Sequence, residues 1–539
     1  MDNNMHDSKH DIPIHDDSII IQQRKGSSGI KGIIENPYVF AVALFASLGG
    51  VLFGYDQGVI SGVQEMETFV SRFPMDSTQN GFVVAILELG AWVGAWMVGY
   101  FADKISRKYS IVLFSVVFLL GSAIQGGAQN IDYLFGGRFV TGMSVGALSM
   151  LVPLYQSEIA PPEIRGSLVS LQQQAVTFGI LISFWIDYGT QFISTEAQWR
   201  VPLCLQIAIG FILGIGILFF PFSPRWLASV GRDEESLRVL AKLRRLSVDD
   251  PLVIAEWREI KSTVEFDRRV QAEMYPDLVQ QSTRSAAIKI NLLGYVELFR
   301  KGMRLRLFIA CAIMFFQQFV GVNALIYYAP KIFQSVGLQG DSVSLLATGV
   351  VGIINFVMTI PTVLFLDKFG RKPMLLTASA FMTCCMIIIA VIVGMFSDDW
   401  PSHTKEGWVA VAFVYIFIAN FAYSWGPIGW VYGSEIFPLR TRAKAMSIST
   451  SANWMCNFII GLITPPMLSS IGYGTYVFFG CFCFISFFFV LFIVPETKSR
   501  SLEDMDAIFG GTSASHDAEL MAKVQRDIAA EPIPGISKA

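Results

Sequence analysis

Charge is what this sequence has least of. Asp, Glu, Lys and Arg make up 15% of its 539 residues, against roughly 25% in an ordinary soluble domain. The net charge of −3 supplies no basic surface for nucleic acid. Histidine is also scarce. His6, His10, His15 and His516 lie in polar tails and His403 in a loop, so proton chemistry in the apolar part must rest on carboxylates. The seven cysteines (Cys204, Cys311, Cys384, Cys385, Cys456, Cys481 and Cys483) all fall in apolar runs, which excludes an extracellular disulfide framework or a metal site. No Asn-x-Ser/Thr acceptor occurs. The first 36 residues are polar, with no cleavable signal, so the first apolar helix is expected to direct insertion.

What is abundant is apolar length: 53% of the residues are hydrophobic. Twelve runs suit a hydrocarbon layer of roughly 30 Å. They fall at 38–62, 81–102, 109–128, 133–157, 168–189, 200–221, 306–328, 343–366, 373–396, 408–433, 444–468 and 474–495. The expectation is an all-α polytopic membrane protein; a β-barrel would show short alternating segments. The run at 81–102 carries Gly90, Ala91, Gly94, Ala95 and Gly99, a composition for close helix packing. The short loops after runs two, four, eight and ten carry nine Lys/Arg, and those after the odd-numbered runs carry three. The positive-inside rule then places both termini in the cytosol. The division is a cytosolic tail at 1–36, a six-helix half at 37–221, a cytosolic linker at 222–305, a second half at 306–495 and a tail at 496–539. The linker reads as short amphipathic helices beneath the bundle, and both tails as mainly disordered.

Phe53-Gly-Tyr-Asp-Gln-Gly-Val-Ile-Ser-Gly62 organises the chain, because it sets Asp56 inside a membrane helix. A carboxylate there costs roughly 2.5–3.5 kcal/mol on insertion scales, so a partner and a function are expected. Arg138 is a lone cation in run four. Both residues lie roughly 10 Å below the outer surface at 1.5 Å per residue, so an ion pair is geometrically possible. Burial favours the protonated carboxyl and a nearby guanidinium favours the ionised one, so the pair can switch as a pocket opens and closes. A static structural pair is the plain alternative. Glu88, at similar depth, is a second candidate for proton coupling. Asp187, near an outer helix end, is expected to meet water.

The chain repeats itself. Asp103-Lys-Ile-Ser-Arg-Lys108 returns as Asp367-Lys-Phe-Gly-Arg-Lys372, six helices later. Ser157-Glu-Ile-Ala-Pro-Pro-Glu-Ile-Arg165 returns as Ser434-Glu-Ile-Phe-Pro-Leu-Arg-Thr-Arg442. Two parallel six-helix halves are a plan of secondary transporters.

These motifs resemble the sugar porter family of the major facilitator superfamily, most closely its fungal monosaccharide (hexose or pentose) transporters. The resemblance extends to Gly137-Arg-Phe-Val-Thr-Gly-Met-Ser-Val-Gly146, Gln317-Gln-Phe-Val-Gly-Val-Asn-Ala-Leu-Ile-Tyr-Tyr328, Trp425-Gly-Pro-Ile-Gly-Trp430 and Pro495-Glu-Thr-Lys498. Three departures touch the cytosolic ion-pair network: Phe222 for a Glu after helix six, Ser106 for a Gly before Arg107, and Ser499 for a Gly after Lys498.

The resemblance implies a twelve-helix fold in two halves and alternating access to a central sugar site. Sugars need side-chain amides for their hydroxyls and aromatic faces for their C–H surfaces. The implied contacts are Gln173, Gln317, Gln318, Asn323, Asn355, Trp430, Asn453 and Trp454, with Phe53 and Tyr328 closing the site from outside. Gly426-Pro427 is expected to break helix ten for gating. Ile180 stands where bacterial relatives carry a second Gln. Asp56 and Arg138 are implied in proton coupling. Asp103, Arg107, Glu158 and Arg165, with Asp367, Arg371, Glu435 and Arg442, are implied as salt bridges between the halves that close the inner side in the outward-open state.

The function expected is proton-coupled monosaccharide symport in the plasma membrane, with a sugar, protons and the bilayer as partners, a monomeric working unit and no cofactor. A facilitative uniporter is the alternative. A sugar sensor signalling through a tail is the third reading, and 44 residues follow Pro495. No nucleophile–base constellation or metal-ligand cluster suggests an enzyme.

Overall fold

The computed structural model describes residues 29–498, apart from 162, 282, 336–340 and 438, together with 505, 508–509 and 513–534. The side chain of Asp367 lies outside the described residues, as do residues 1–28 of the expected tail. Residues 29–35, assigned above to that tail, form a helix, Gly29–Glu35.

Twelve helices of 19 to 30 residues are apolar and long enough to cross a membrane. The first six spans are Pro37–Val63, Ser77–Ile105, Arg107–Gly126, Ile131–Ile159, Arg165–Thr190 and Ala197–Phe219. The second six are Arg304–Tyr327, Val343–Thr362, Arg371–Phe396, Thr404–Gly433, Lys444–Ile471 and Gly474–Phe492. No strand occurs among the described residues. Spans two, three and four begin where a side chain satisfies one of their first N–H groups. At span two, Asp76 Oδ1 accepts from Gln79 N at 2.7 Å and Gln79 Oε1 accepts from Asp76 N at 3.2 Å, a reciprocal cap. Asn130 caps span four in the same sense.

Span two packs on span four through small residues. A Cβ on Gly94 would run into the carbonyl of Met143, so only glycine permits that approach. Gly99, grouped above with Gly94, faces open space and takes no part.

Two breaks shape the second half. Gly321, at φ 98°, divides span seven into Arg304–Phe319 and Val322–Tyr327. Span ten breaks at Ser424 rather than at Gly426-Pro427. The displacement follows from proline chemistry. Pro427 has no N–H and crowds the carbonyl four residues earlier, so the helix ends there. That carbonyl, on Tyr423, accepts instead from Thr362 Oγ1 at 2.6 Å.

Between spans six and seven lie helices Pro224–Ser229, Asp233–Arg244, Pro251–Met274, Pro276–Gln281 and Arg284–Glu297. Leu237, Leu240, Ala241, Val253 and Trp257 form their own core. Arg244 ties them to the bundle, donating to the Ile159 carbonyl at 3.0 Å while pairing with Glu256. The C-terminal region is more ordered than its polarity suggests. Helix Ser513–Ala530 docks on Pro251–Met274 through Phe266, Val270, Val524 and Ile528, with Arg269–Asp527 at 2.6 Å beside them. Val524 and Ile528 are four residues apart, as are Phe266 and Val270, so each pair forms one apolar face.

The halves meet across span two with span eleven and span five with span eight. At the end of the bundle far from the linker, Lys331 of the second half pairs with Glu65 of the first at 3.5 Å.

Candidate functional site

Asp56 and Arg138 are brought together, as their depths predict. Arg138 Nη1 lies 3.5 Å from Asp56 Oδ1, and the side chains are 1% and 0% exposed. Arg138 Nε also donates to the Val83 carbonyl at 2.6 Å, which fixes the guanidinium against span two. Neither oxygen of Asp56 has a hydrogen-bond partner, so the carboxylate is held by charge alone at a distance beyond an ideal charge-assisted bond. A contact of this length can be lost or tightened by a small helix movement.

Glu88 is placed differently from Asp56. Its Oε1 accepts from the Tyr327 hydroxyl of span seven at 2.6 Å, a bond between the halves, while Oε2 has no partner. Gln57 Nε2 donates to the same hydroxyl at 2.8 Å. Asp187 overturns the expectation of a wet carboxylate. It is 1% exposed, and neither oxygen has a hydrogen-bond partner. The reason is packing: Gly62 lacks a side chain, and span one closes over Asp187 through that gap.

The amides converge below this layer. Gln317 Nε2 donates to the carbonyls of Trp425 and Gly426, both at 2.8 Å. These carbonyls belong to the first turn of Trp425–Ile436, so the amide ties span seven to the start of the second piece of span ten. Asn453 Nδ2 donates to Gln317 Oε1 at 2.6 Å. Asn323 Nδ2 donates to Gln318 Oε1 at 2.5 Å and to Asn457 Oδ1 at 2.8 Å. Phe53 and Trp454 face each other across the halves with ring centroids 5.1 Å apart. Asn355 is buried on span eight, whereas Gln173 and Trp430 are half-buried. Tyr328 is fully buried and donates to the Gly461 carbonyl at 2.6 Å.

Three polar residues in this layer were not singled out from the sequence: Gln57, Tyr327 and Asn457. Asn457 had a signal, since it lies one helical turn after Asn453 on the same face. Tyr327 stood next to Tyr328, and only the Gly321 break decides which ring faces Glu88.

The linker-end motifs pair within halves. Arg107 binds Glu158 at 3.0 Å and Asp103 at 3.1 Å, all in the first half. Arg371 binds Glu435 at 2.6 Å, both in the second. Bridges between the halves were expected here, and that expectation belongs to an outward-open arrangement. The halves here are bonded at the opposite end, by Glu88–Tyr327 and Glu65–Lys331. Arg442 donates to the Phe437 carbonyl at 3.4 and 3.3 Å. Burial lowers its pKa, the nearby cations Arg225 and Arg165 lower it further, and Glu435 opposes them. The side chain of Asp367 lies outside the described residues.

A duplicated twelve-span bundle with a buried ion pair and a polar core along the seam between its halves defines a secondary transporter. The sequence profile described as "Sugar (and other) transporter" matches residues 42–509. The MFS glucose transporter mfs1 of Aspergillus flavus is 34% identical over 496 residues, covering 87% of this chain and 89% of that one. The high-affinity hexose transporter HXT6 of Saccharomyces cerevisiae is 35% identical over 486 residues, covering 87% and 81%. Among solved structures, the partially occluded inward-open xylose transporter XylE from E. coli aligns with a TM-score of 0.70 at 28% identity, over 86% of this chain and all of that one. The proton:xylose symporter XylE bound to 6-bromo-6-deoxy-D-glucose aligns at 0.69 and 28%, over 88% and 99%. The chain belongs to the sugar porter family of the major facilitator superfamily. It is a multi-pass membrane carrier of that family, not an enzyme.

Proposed function

We propose that this protein is a proton-coupled monosaccharide symporter of the plasma membrane, working as a single chain with both termini and the linker in the cytosol. Sugar binds among Gln173, Gln317, Gln318, Asn323, Asn355, Asn453, Trp430 and Trp454. Phe53 and Tyr328 bound the site toward the outside, and the two halves rock around it. Asp103, Arg107, Glu158, Arg165, Asp367, Arg371, Glu435 and Arg442 exchange pairing partners at the cytosolic end as the halves close there.

One observation carries the proton coupling: the Asp56 carboxylate is fully buried and held only by Arg138 at 3.5 Å. A proton on Asp56 removes that attraction, and its loss restores the ion pair, so the pair can tie proton binding to the seam between the halves. The structural relative XylE, a proton:xylose symporter, supports this reading. The glucose and hexose transporters among its fungal relatives favour a hexose as cargo and keep a facilitative uniporter as the second reading.

The test is a panel of labelled hexoses and pentoses given to transporter-null cells expressing the chain, with external pH recorded in light buffer. Symport predicts uptake together with sugar-specific alkalinisation. Uptake without a pH change selects the uniporter. No uptake of any sugar, with the protein at the cell surface, rejects transport and selects the sensor.

A further inference from the structure

We propose that the Tyr327 hydroxyl is a positioning group that couples the protonation of Glu88 to the amides of the central site. The inference rests on the symport reading above and adds a route by which the proton is felt at the sugar.

The hydroxyl has more acceptors around it than hydrogens to give. A phenol has one hydrogen to give and can accept two. Gln57 Nε2 donates to Tyr327 at 2.8 Å. The two other neighbours of the hydroxyl are Glu88 Oε1 at 2.6 Å and Asn457 Oδ1 at 3.0 Å. While Glu88 is ionised both are acceptors, and they compete for a single hydrogen. The charged oxygen, with the shorter contact, wins it. A protonated Glu88 becomes a donor to Tyr327, and the phenol hydrogen then turns to Asn457.

Asn457 stands between this switch and the site. Its Oδ1 is the acceptor for Asn323 Nδ2 at 2.8 Å, and Asn323 also donates to Gln318. A carbonyl that receives a second strong donor holds the first less tightly. Protonation of Glu88 therefore loosens Asn323 and frees its N–H for a ligand hydroxyl. The groups concerned sit on four helices: Gln57 on span one, Glu88 on span two, Tyr327 on span seven and Asn457 on span eleven. The charged groups acting on Glu88 are Arg138 and Asp56. Tyr327, Glu88 and Asn457 are buried, and the proton is carried on Oε1, the Glu88 oxygen that faces the phenol.

The experiment measures half-saturation for sugar counterflow in mildly acidic and mildly alkaline medium, for the wild type, Tyr327→Phe and Glu88→Gln. Counterflow reports sugar movement without a proton gradient, so it also registers whether each variant is folded. The wild type is expected to bind sugar more tightly in acid by roughly threefold to tenfold, the worth of one hydrogen bond. Each variant should flatten that dependence, and the double variant should do no more than either single one. Tyr327→Phe with the wild-type pH dependence and a uniform change in affinity overturns the coupling role and leaves symport standing. A wild type that moves sugar with no pH dependence overturns both.

Discussion

The two halves turn the same corner with different chemistry. In the second half, Pro495-Glu496-Thr497 folds back on the start of span nine. Glu496 accepts from the backbone N–H groups of Arg371 at 3.0 Å and Lys372 at 2.9 Å, and from Thr497 and Lys498 at 2.9 Å each. Thr497 Oγ1 donates to Glu435 at 2.5 Å, which links this cap to the Arg371–Glu435 pair. In the first half the matching stretch is Pro221-Phe222-Ser223, which brings no carboxylate of its own to the start of span three. The Phe222 ring stacks on Trp226 at 5.6 Å and meets Tyr109 at 5.4 Å, with Lys108 Nζ 4.9 Å from its centre. The surrounding frame is shared: Tyr155 donates to the Pro221 carbonyl at 2.7 Å and Tyr432 to that of Pro495 at 2.8 Å.

The difference shows that two departures noted separately in the sequence are one. The φ of Gly370, 88°, favours glycine, and a Cβ there would lie 2.8 Å from Glu496 Oε2, so the carboxylate makes glycine the fitting residue. Ser106 holds nearly the same backbone, at φ 96°. It is tolerated because Phe222 has replaced the carboxylate, and its Oγ accepts from Tyr109 N at 3.2 Å. The serine hydroxyl thus caps the helix that the missing carboxylate would have capped.

Glu496→Ala removes the acceptor of several N–H groups at once and should lower stability by about 3 kcal/mol, read as a fall in Tm in detergent. The same group has a pH signature. Burial raises the Glu496 pKa, but the four backbone donors outweigh it and hold the carboxyl below its ordinary 4.5. A depressed folded pKa gives stability that is full above the unfolded value and is lost as pH falls through the folded one. Acid should therefore loosen the start of span nine below about pH 4.5 by releasing the backbone N–H groups of Arg371 and Lys372, which hydrogen exchange at those two residues would resolve.

Gly370→Ser, the first half's residue moved to the second, should cost about 2 kcal/mol because the glutamate stays in place. Phe222→Glu should destabilise the first half and be relieved by adding Ser106→Gly. A double-mutant cycle on Tm should give a coupling of roughly 1 kcal/mol, and additive effects would show the two departures to be independent. The smallest effect is Lys108→Met, which loses the ring contact as well as a bond to the Leu218 carbonyl at 2.7 Å. It should exceed Lys372→Met by about 0.5–1 kcal/mol, because Lys372 donates to Leu491 with no ring beneath it.

The span count, the duplication and the meeting of Asp56 with Arg138 were legible in the sequence, because hydrophobic length, repeated loop motifs and helical depth are local quantities. The remainder depended on how helices are rotated and where they break. The proline at position 427 announced a break but not that it would fall at Ser424. Gly321 turns Tyr327 rather than Tyr328 toward Glu88. Asp187 looks wet by its distance from the helix end and is sealed by its neighbour Gly62. The polar composition of the C-terminal tail hid the apolar pair Val524 and Ile528. The pairing of the linker-end arginines depends on which end of the bundle is closed, which is a property of conformation.

The central claim, that the buried Asp56–Arg138 pair ties sugar movement to the proton, is tested most directly in liposomes. Purified protein is reconstituted, an inside-alkaline gradient is imposed, and labelled sugar is followed over time. The account predicts transient accumulation above the external concentration in the wild type, and simple equilibration in Asp56→Asn. Equal sugar levels with and without the gradient in the wild type would contradict it and leave the pair a structural one in a facilitative carrier.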